Sequence, residues 1–491
     1  MPSFVAGFVV FATSAAVLVL EILAARLLAP YVGVTLETYT GIIGTVLAGI
    51  ALGSWYGGKL ADRVDPRVIL GPMVLGGGVL ALAAVPVVTF FGATLGGGGG
   101  PLAVVVLSAV GFFAPAAVLS AVTPTVVKLQ LDSLDETGRV VGRLSALGTA
   151  GAILGTFLTG FLLVAAWPSR PIVFGLGVAL VLGGVALWWW LAPSRTDFPA
   201  GLVVLALIAG SLTLLVSVPC DFESAYFCAR VEAADDRDSG RILVLDRLRH
   251  SYVDLEDPGY LGFGYTQVFA DVVETVAPDG GPVDALHVGG GGFTMPRYLA
   301  AERAGSHSLV LELDPMLVDI ARDELGLATG EDLRVQTGDA RLGVAAQPPE
   351  RWDVVIGDAF GGLAVPWHLT TVEFARDIQE TLRPDGVYML NVIDYGPLHF
   401  ARAEAATLAA VFEHVALVAP PERVAGAEGG NFVLLGADTP LDVAGLRAAI
   451  AAHDGQDEVV AGERYQDFAG QAPVLFDDYA PVDQLLTPRT P

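Results

Sequence analysis

Long apolar segments separated by short polar ones make up the first 219 residues of the chain. Each segment is about twenty residues long, which is the length that a helix needs to cross the hydrocarbon core of a bilayer. The pattern predicts seven such helices, over 4–28, 38–58, 68–92, 102–127, 144–167, 171–192 and 199–219. The first segment lacks a basic start and is too long for a cleaved signal peptide. We therefore expect a multi-span α-helical membrane domain over 1–219.

Shorter elements replace the apolar segments after residue 219. Residues 225–255 alternate twice between apolar and polar positions around a turn-rich centre at 234–240. This alternation predicts two or three antiparallel strands. A helix over 266–277 follows them. Together these elements form a predicted small β-element with a linking helix, over 220–280.

Strands and helices alternate from residue 283 onwards. The predicted strands are 283–288, 308–313, 333–337, 352–357 and 386–393. The predicted helices lie between them, near 295–303, 315–325, 340–346 and 370–382. This order is typical of an α/β domain in which a parallel sheet carries helices on both faces and binds ligands at the carboxyl ends of its strands. We expect one such domain over 281–491.

The composition supports one half in lipid and one half in water. The 491 residues are 53% hydrophobic, and the mean hydropathy of +0.59 is too high for a soluble enzyme. The net charge of -26 argues against a nucleic-acid partner, because an acidic surface repels phosphates. A cationic substrate and a salt-rich cytoplasm both explain the acidic surface. Two cysteines are too few for a zinc cluster, and we expect no metal.

Four glycines, at 289–292, end the strand over 283–288 and precede the helix near 295–303. Glycines in such a place let the backbone pass close to a bound nucleotide or nucleoside, because a side chain would block the approach and φ can be positive. The alternative is a flexible turn like the glycine run at 96–100. No lysine lies near the four glycines, which excludes a phosphate-binding P-loop.

Acidic side chains follow the next three predicted strands where each strand ends. Glu312 and Asp314 close the second strand, about twenty residues after the glycines, where an acid commonly holds ribose hydroxyls. Asp339 follows the third strand and is a candidate to accept a hydrogen bond from an adenine amino group. Asp358 follows the fourth strand, where a carboxylate would orient a reacting amine and accept its proton. The alternatives are solvated strand ends and, for Asp358, a helix N-cap.

With these motifs the chain resembles the spermidine synthases, the polyamine aminopropyltransferases, in a membrane-fused form. The resemblance covers roughly 220–400, the tail at 476–485 and the multi-span first half. It implies an α/β, Rossmann-like, methyltransferase-type fold with a small N-terminal β-element. It also implies that an aminopropyl group passes from decarboxylated S-adenosylmethionine to putrescine, with release of methylthioadenosine. Because family members are often dimers, a homodimer is implied as well.

The resemblance also implies roles for individual side chains. Asp358 corresponds to the catalytic aspartate, which would also contact the amine substrate. Tyr265 corresponds to a tyrosine near the substrate entrance, and Gln267 stands beside the position of a family glutamine. The residues implied in binding the adenosyl co-substrate are Gly289, Gly290, Gly291, Glu312, Asp314, Asp339 and Ala340.

Three positions depart from the family pattern. Gly292 and Gly361 stand where the family has aspartates, and Thr266 stands where it has a glutamine. A dication such as putrescine requires several carboxylates to offset its lost hydration. The candidates to replace the missing carboxylates are Asp394, Asp477 and Asp478. Two other functions stay open: an S-adenosylmethionine-dependent methyltransferase, which Gly292 would favour, and a transporter or sensor that only binds a nucleoside or polyamine.

The charges of the loops bear on the side of the membrane. Basic residues follow the second, fourth and sixth predicted spans, at Lys59, Arg63, Arg67, Lys128, Arg139, Arg143 and Arg195. The positive-inside rule places these loops and the N-terminus in the cytoplasm. Seven spans then put the second half outside, where Cys220 and Cys228 would be able to form a disulfide. Because the adenosyl co-substrate is made in the cytoplasm, we favour a cytoplasmic second half and leave the topology open.

Two charged side chains, Glu21 and Arg26, fall in or near the first predicted span. Ionisable groups in lipid are costly and by default suggest a functional site, here one for translocation. The alternatives for Arg26 are an ion pair inside the protein and a side chain that reaches the membrane interface.

Overall fold

The computed structural model describes residues 1–95, 100–131, 136–193 and 197–486. Two features considered above lie outside these residues, namely glycines 96–99 of the glycine run and the basic residue Arg195. The chain divides into two compact units, Met1–Ala229 and Arg230–Pro491.

The first unit consists mainly of apolar helices. Six helices among the described residues are long and apolar enough to cross a membrane. They are α1 (Ser3–Val32), α2 (Leu36–Arg63), α3 (Pro66–Leu95), α4 (Pro101–Gln130), α5 (Thr137–Ala166) and α6 (Ser169–Leu191). The segment predicted as a seventh span forms a shorter helix of 16 residues, α7 (Ala200–Leu215). It is shorter than predicted because the backbone becomes extended at Val216.

Small residues bring the helices of the first unit into close contact. A Cβ built on Gly53 of α2 would lie 2.0 Å from the Ala117 carbonyl oxygen of α4. A Cβ on Gly151 of α5 would lie 2.1 Å from the Phe11 carbonyl oxygen of α1. Lipid is as apolar as the helices, so close packing of this kind, rather than burial from water, holds membrane helices together.

Arg26 forms an ion pair inside the first unit. Its guanidinium donates hydrogen bonds to the Glu223 carboxylate at 3.0 and 3.1 Å and to the Ser169 Oγ at 3.2 Å. It also donates to the Ala225 carbonyl oxygen at 2.7 Å. Of the explanations open for Arg26, the structure supports the internal ion pair.

A four-stranded sheet follows the helices. Its strands are β1 (Phe222–Glu223), β2 (Cys228–Ala233), β3 (Gly240–Leu245) and β4 (Leu248–Asp254), paired in this order. The sequence predicted two or three strands and missed β1, which is only two residues long. A disulfide joins Cys220, just before β1, to Cys228 at the start of β2.

An eight-stranded sheet with helices on both faces forms the core of the second unit. Its strands are β5 (Asp284–Val288), β6 (His307–Glu312), β7 (Leu333–Thr337), β8 (Trp352–Gly357), β9 (Leu382–Asp394), β10 (His414–Ala419), β11 (Gly430–Ala437) and β12 (Glu458–Ala461). The helices are α8 (Gly264–Val276), α9 (Thr294–Glu302), α10 (Pro315–Glu324), α11 (Ala340–Ala345), α12 (Val372–Thr381), α13 (His399–Ala409), α14 (Pro421–Val424), α15 (Val443–Ala452), α16 (Glu463–Ala469) and α17 (Val482–Leu485). Val355 of β8 packs in one core and Val354 in the other, as expected for a strand covered on both faces.

The strand order of this sheet is β12-β10-β11-β9-β8-β5-β6-β7. The five strands from β9 to β7 pair in parallel, as the alternation of strands and helices predicted. The three strands at the other edge, which were not among the predicted strands, pair antiparallel. An antiparallel neighbour needs no crossover helix, and the strand–helix alternation therefore gave no signal for this edge.

The substitution Gly53→Ala is expected to lower the melting temperature of the detergent-solubilised protein. The added Cβ would meet the Ala117 carbonyl oxygen and push α2 away from α4, and overpacking of this kind costs about 1–3 kcal/mol. Gly44→Ala in the same helix is the control, since nothing lies within 4 Å of its added Cβ. A Gly53→Ala protein as stable as the control would contradict the close packing of these helices.

Candidate functional site

The glycine loop connects β5 to α9 at the carboxyl end of the parallel strands. Gly289 has a φ of 98° and Gly291 a φ of 50°. A Cβ on Gly289 would also lie 2.5 Å from the Asp358 carbonyl oxygen. Both the positive φ and this close approach to the chain after β8 require glycine. The loop is therefore a specific structure and not a generic glycine turn.

Glu312 ends β6 and binds the glycine loop. Its Oε2 accepts hydrogen bonds from the backbone N–H groups of Gly290 at 2.8 Å and Gly291 at 3.3 Å. Its Oε1 accepts one from the Asp314 N–H at 2.8 Å. Burial raises the pKa of the Glu312 carboxyl, and these three hydrogen bonds oppose the increase. A carboxylate has about four lone-pair sites, so these bonds leave one of them for a ligand hydroxyl.

Two further candidate acids begin helices. Asp314 accepts a hydrogen bond from the Met316 N–H at 3.0 Å and is only 1% exposed. Asp339 accepts one from the Arg341 N–H at 2.8 Å, and its side chain is 43% exposed. Each is therefore an N-cap, of α10 and α11 respectively. The nucleoside contacts expected for these two acids and for Ala340 stay predictions.

Asp358 lies in the loop after β8 and caps no helix. The Tyr265 hydroxyl donates a hydrogen bond to its Oδ2 at 3.1 Å, and the Asn391 Nδ2 donates one to its Oδ1 at 2.8 Å. Burial raises the pKa of the Asp358 carboxyl to about 6, although both donors lower it. Burial and the Asp358 charge raise the pKa of Tyr265 well above its usual value, so that its hydroxyl stays protonated.

A chain of amide groups extends from Asp358 across the sheet. Asn391 of β9 accepts a hydrogen bond at its Oδ1 from the Asn431 Nδ2 of β11, at 3.0 Å. The carbonyl oxygen of Asn431 in turn accepts one from the Arg423 Nη1 at 3.3 Å. Sequence reasoning missed these residues. The available signal was a pair of amides within otherwise apolar strands, where a buried polar group needs a partner.

Asp358 opens on a cavity of about 470 Å³ in the second unit. The charged residues that line it are Asp358, Asp457, Arg249 and Arg423. His250 also lines it, and burial lowers the pKa of this imidazole to about 4, so that it is neutral at pH 7. Gly291 connects the cavity to the glycine loop. Within the part of the chain that the structure describes, no group of three or more His, Cys, Asp or Glu side chains is placed to hold a metal ion.

Of the side chains expected to contact the amine, Tyr265 and Asp358 line this cavity and Gln267 does not. The Gln267 side chain instead donates a hydrogen bond to the Leu261 carbonyl oxygen at 2.8 Å. Thr266 is 2% exposed and donates to the Phe263 carbonyl oxygen at 2.6 Å. The first turn of α8 therefore presents only its tyrosine to the cavity.

The aspartates considered as replacement carboxylates lie elsewhere. Asp394 caps α13 by accepting hydrogen bonds from two of its first N–H groups at 2.9 and 3.0 Å. Asp477 forms a bidentate ion pair with Arg341, with both distances 2.7 Å. Asp478 is exposed and does not line the cavity. The expectation that these three supply the missing charges is thus wrong, and the second carboxylate of the cavity is Asp457.

Packing accounts for one of the two glycines that replace family aspartates. The Gly292 N–H donates to the Ser251 Oγ at 2.8 Å, and a Cβ on Gly292 would lie 2.6 Å from the Ser251 Cβ. An aspartate there would require β4 to move. A Cβ on Gly361 would meet nothing closer than 3.9 Å, so space does not explain the missing carboxylate at that position.

Comparisons with known proteins found similar proteins, although no protein-family model matches the chain. The polyamine aminopropyltransferase of Vibrio vulnificus is 30% identical over 216 residues, which are 42% of this chain and 70% of that protein. A "probable polyamine aminopropyl transferase" of Bifidobacterium longum is 28% identical over 192 residues, 39% of this chain and 41% of that protein. The crystal structure of a "probable spermidine synthase" from Corynebacterium glutamicum is 28% identical, covers 54% of this chain and 96% of its own, and has a TM-score of 0.48.

The Vibrio vulnificus protein decides the family, because the similarity extends over most of its length. The strand–helix order of the second unit, its glycine loop and the acids at its strand ends agree with that assignment. With 30% identity over 70% of that relative, the chain belongs to the polyamine aminopropyltransferase family, whose members are transferases.

Proposed function

We propose that the second unit transfers an aminopropyl group from decarboxylated S-adenosylmethionine to a small amine. The observation that carries the proposal is Asp358, a carboxylate of raised pKa between the glycine loop and the cavity. A carboxylate with a perturbed pKa in a cleft is typical of catalytic acids and bases. Membership of the polyamine aminopropyltransferase family supports the same class of reaction.

In the proposed step, the amine nitrogen attacks the carbon next to the sulfonium of the donor. A C–N bond forms, the C–S bond breaks, and the electron pair of that bond goes to sulfur to give methylthioadenosine. The nitrogen then loses one proton, which the Asp358 carboxylate accepts. Most of the catalytic effect comes from holding the two reactants in line.

The adenosyl part of the donor is assigned to the glycine loop and the acids beside it. Glu312, with one acceptor site left, fits a ribose hydroxyl. Asp339, whose side chain is partly open to solvent, fits an amino group of the base. The further residues assigned to this part are Gly289, Gly290, Gly291, Asp314 and Ala340.

We also propose that the first unit anchors the enzyme in a membrane. Its six long apolar helices expose large apolar side chains, among them Leu154 at 51%, Phe161 at 73% and Leu182 at 64%. Extended exposed apolar surface of this kind marks a protein or membrane contact, and lipid would cover it. The division into a membrane domain over 1–219, a β-element over 220–280 and an enzyme domain over 281–491, and the homodimer, stay predictions.

Two sets of contacts identify the two ends of the helical unit. At one end, Gln130 of α4 donates from Nε2 to the Met1 carbonyl oxygen at 2.8 Å, and Lys128 forms an ion pair with Asp62 of α2 at 2.8 Å. Arg26 marks the other end, where α1 finishes. The partners of Arg26 there are Ser169, which begins α6, and Glu223, which follows α7. Despite its length, α7 therefore carries the chain to the end opposite the N-terminus.

These contacts support a proposal about the side of the membrane on which the second unit lies. The basic residues of the α2–α3 and α4–α5 connections lie at the Met1 end, which the positive-inside rule places in the cytoplasm. The chain then leaves the first unit on the outer side. The Cys220–Cys228 disulfide agrees, because disulfides persist in oxidising compartments. We propose that the second unit lies outside the cytoplasm, contrary to the cytoplasmic side favoured from sequence.

The substitution Asp358→Asn is expected to lower the rate of methylthioadenosine release about 10²–10⁴-fold, because an amide does not accept the proton. Binding of methylthioadenosine, measured by calorimetry, is expected to persist, since the glycine loop and Glu312 are unchanged. Asp478→Asn, at an exposed position away from the cavity, is the control. An unchanged rate for Asp358→Asn would remove this residue from the mechanism.

The same assay separates the competing functions when the wild-type protein receives each donor with a panel of amines. Methylthioadenosine from decarboxylated S-adenosylmethionine is the expected product. If S-adenosylmethionine yields S-adenosylhomocysteine while decarboxylated S-adenosylmethionine yields no methylthioadenosine, the protein is a methyltransferase. If neither product forms and the protein still binds the nucleoside, it only binds its ligand, as a transporter or sensor does.

The turnover rate is expected to rise with pH through about 6, the pKa of Asp358, because only the ionised carboxylate accepts a proton. Asn391→Ala removes a hydrogen bond that stabilises the ionised form, so the midpoint is expected to move upward by about one pH unit. Rate profiles between pH 5 and 8 measure both values. A midpoint that does not move would show that Asn391 leaves Asp358 unaffected.

Single-cysteine reporters are expected to place the second unit outside. Glu331→Cys, at an exposed position in the second unit, should react in intact cells with a maleimide that does not cross membranes. Arg143→Cys, at the start of α5, should react only after permeabilisation. Both variants also carry Cys220→Ser and Cys228→Ser, which removes the native disulfide pair, so that only the introduced thiol reacts whichever side the second unit lies on. The reverse labelling pattern would place the second unit in the cytoplasm.

A further inference from the structure

The part of the cavity away from the glycine loop carries a cation as well as a carboxylate. In the sheet, β5, β6 and β7 lie on one side of β8, and β9, β11, β10 and β12 lie on the other. The residues assigned to the donor belong to the first side. Arg423, just before β11, and Asp457, just before β12, belong to the second side and line the cavity. Whatever they bind is therefore part of the acceptor.

The backbone around Arg423 holds its guanidinium in place. Its Nη1 donates to the Asn431 carbonyl oxygen at 3.3 Å, and a Cβ on Gly430 would lie 2.7 Å from its Cζ. Gly430 has a φ of 147°, so a side chain there would be strained as well as displaced. The Arg423 Nε is buried, and no residue in the described parts of the chain accepts a hydrogen bond from it. Because the Nε has no exposed surface, a ligand in the cavity would meet the terminal nitrogens of the Arg423 guanidinium.

Asp457 lies close enough to Arg423 for the two charges to interact. Burial raises the pKa of the Asp457 carboxyl, and the positive charge of Arg423 opposes that increase. A guanidinium beside a carboxylate matches the two charges of an α-amino acid head group, whose carboxylate would bind Arg423 and whose ammonium would bind Asp457. A diamine would instead bring a cation next to the Arg423 guanidinium, which is unfavourable.

The distance across the sheet fits a short aliphatic chain. Asn431 of β11 is two strand spacings from β8, or about 10 Å at about 4.8 Å each. A ligand with about five bonds between its reacting amine and its other polar end would extend about 6 Å. A hydrogen bond of about 2.8 Å at each end brings the span to about 12 Å, comparable to the distance to be covered.

We propose that the acceptor is a diamino carboxylic acid whose side-chain amine reacts beside Asp358 while its α-carboxylate binds Arg423 and its α-ammonium binds Asp457. This inference rests on the proposed function of the same cavity and adds the chemical class of the acceptor. It also fits the charges that line the cavity, where Arg249 and Arg423 offset Asp358 and Asp457, because a diamino acid carries one net positive charge fewer than a diamine.

The test compares 2,5-diaminopentanoate (ornithine) with 1,4-diaminobutane (putrescine), which differ by one carboxylate. The full-length protein in detergent receives decarboxylated S-adenosylmethionine and each amine, and methylthioadenosine release gives kcat/KM. The expected preference for ornithine is about ten- to a hundredfold, as for a hydrogen-bonded charge pair. Arg423→Gln is expected to bring the ratio close to one. Arg322→Gln, in an exposed ion pair on α10, is the control and should keep the wild-type ratio.

The outcomes separate this inference from the function on which it rests. If methylthioadenosine is released but putrescine is preferred, and Arg423→Gln leaves that preference unchanged, the inference is overturned and the proposed function is retained. If neither amine gives methylthioadenosine, the proposed function fails, and calorimetric titration of both amines decides the inference by itself. If ornithine binds more tightly than putrescine and Arg423→Gln abolishes the difference, the inference is supported. If the two amines bind equally, the inference is overturned.

Discussion

The buried carboxylate of Asp358 is the interaction on which the geometry of the second unit depends. A charge taken out of water needs compensating hydrogen bonds, and Tyr265 and Asn391 provide them from α8 and β9. Through Asn431 the same network reaches β11. The backbone after β8 approaches Gly289 so closely that a side chain there would collide with it. The carboxylate thus connects α8 with β9, and the backbone that carries it lies against the glycine loop.

The parallel half of the sheet and the residues at its strand ends could be predicted, because both depend on local sequence. Each strand is a short apolar run, and the glycines, Glu312 and Asp358 follow directly where such a run ends. The acceptor half could not be predicted in this way. Asn431 meets Asn391 only because β11 inserts between β9 and β10, an order that the chain sequence does not indicate. Nor does the identity of an aspartate reveal its role, since Asp394 caps a helix while Asp457 lines the cavity.

The helical unit shows the same division between local and long-range information. Hydropathy and length were sufficient to predict the six long helices. They were not sufficient for α7, whose 16 residues measure about 24 Å against a hydrocarbon core of about 30 Å. The end of the helical unit at which the chain emerges follows instead from the contact of Arg26 with Glu223, almost two hundred positions later. The same contact replaces the translocation role considered for Arg26 with a structural one.

Two departures from the family pattern, at Gly292 and Gly361, each remove a negative charge, and the cavity contains a positive charge at Arg423. Gly292 turns its N–H toward Ser251 and has no room for a carboxylate, and Gly361 leaves one out where space would allow it. Arg423 adds a positive charge to the part of the cavity that we assign to the acceptor. Its buried Nε donates no hydrogen bond to any of the described residues. Of these three residues Arg423 lines the cavity and the two glycines do not, so the proposed preference for an amine that carries an anion depends on Arg423. Under the proposed function, Glu312 stays bound to the glycine loop in the donor half of the site, so Arg423 would affect the acceptor and not the adenosyl donor.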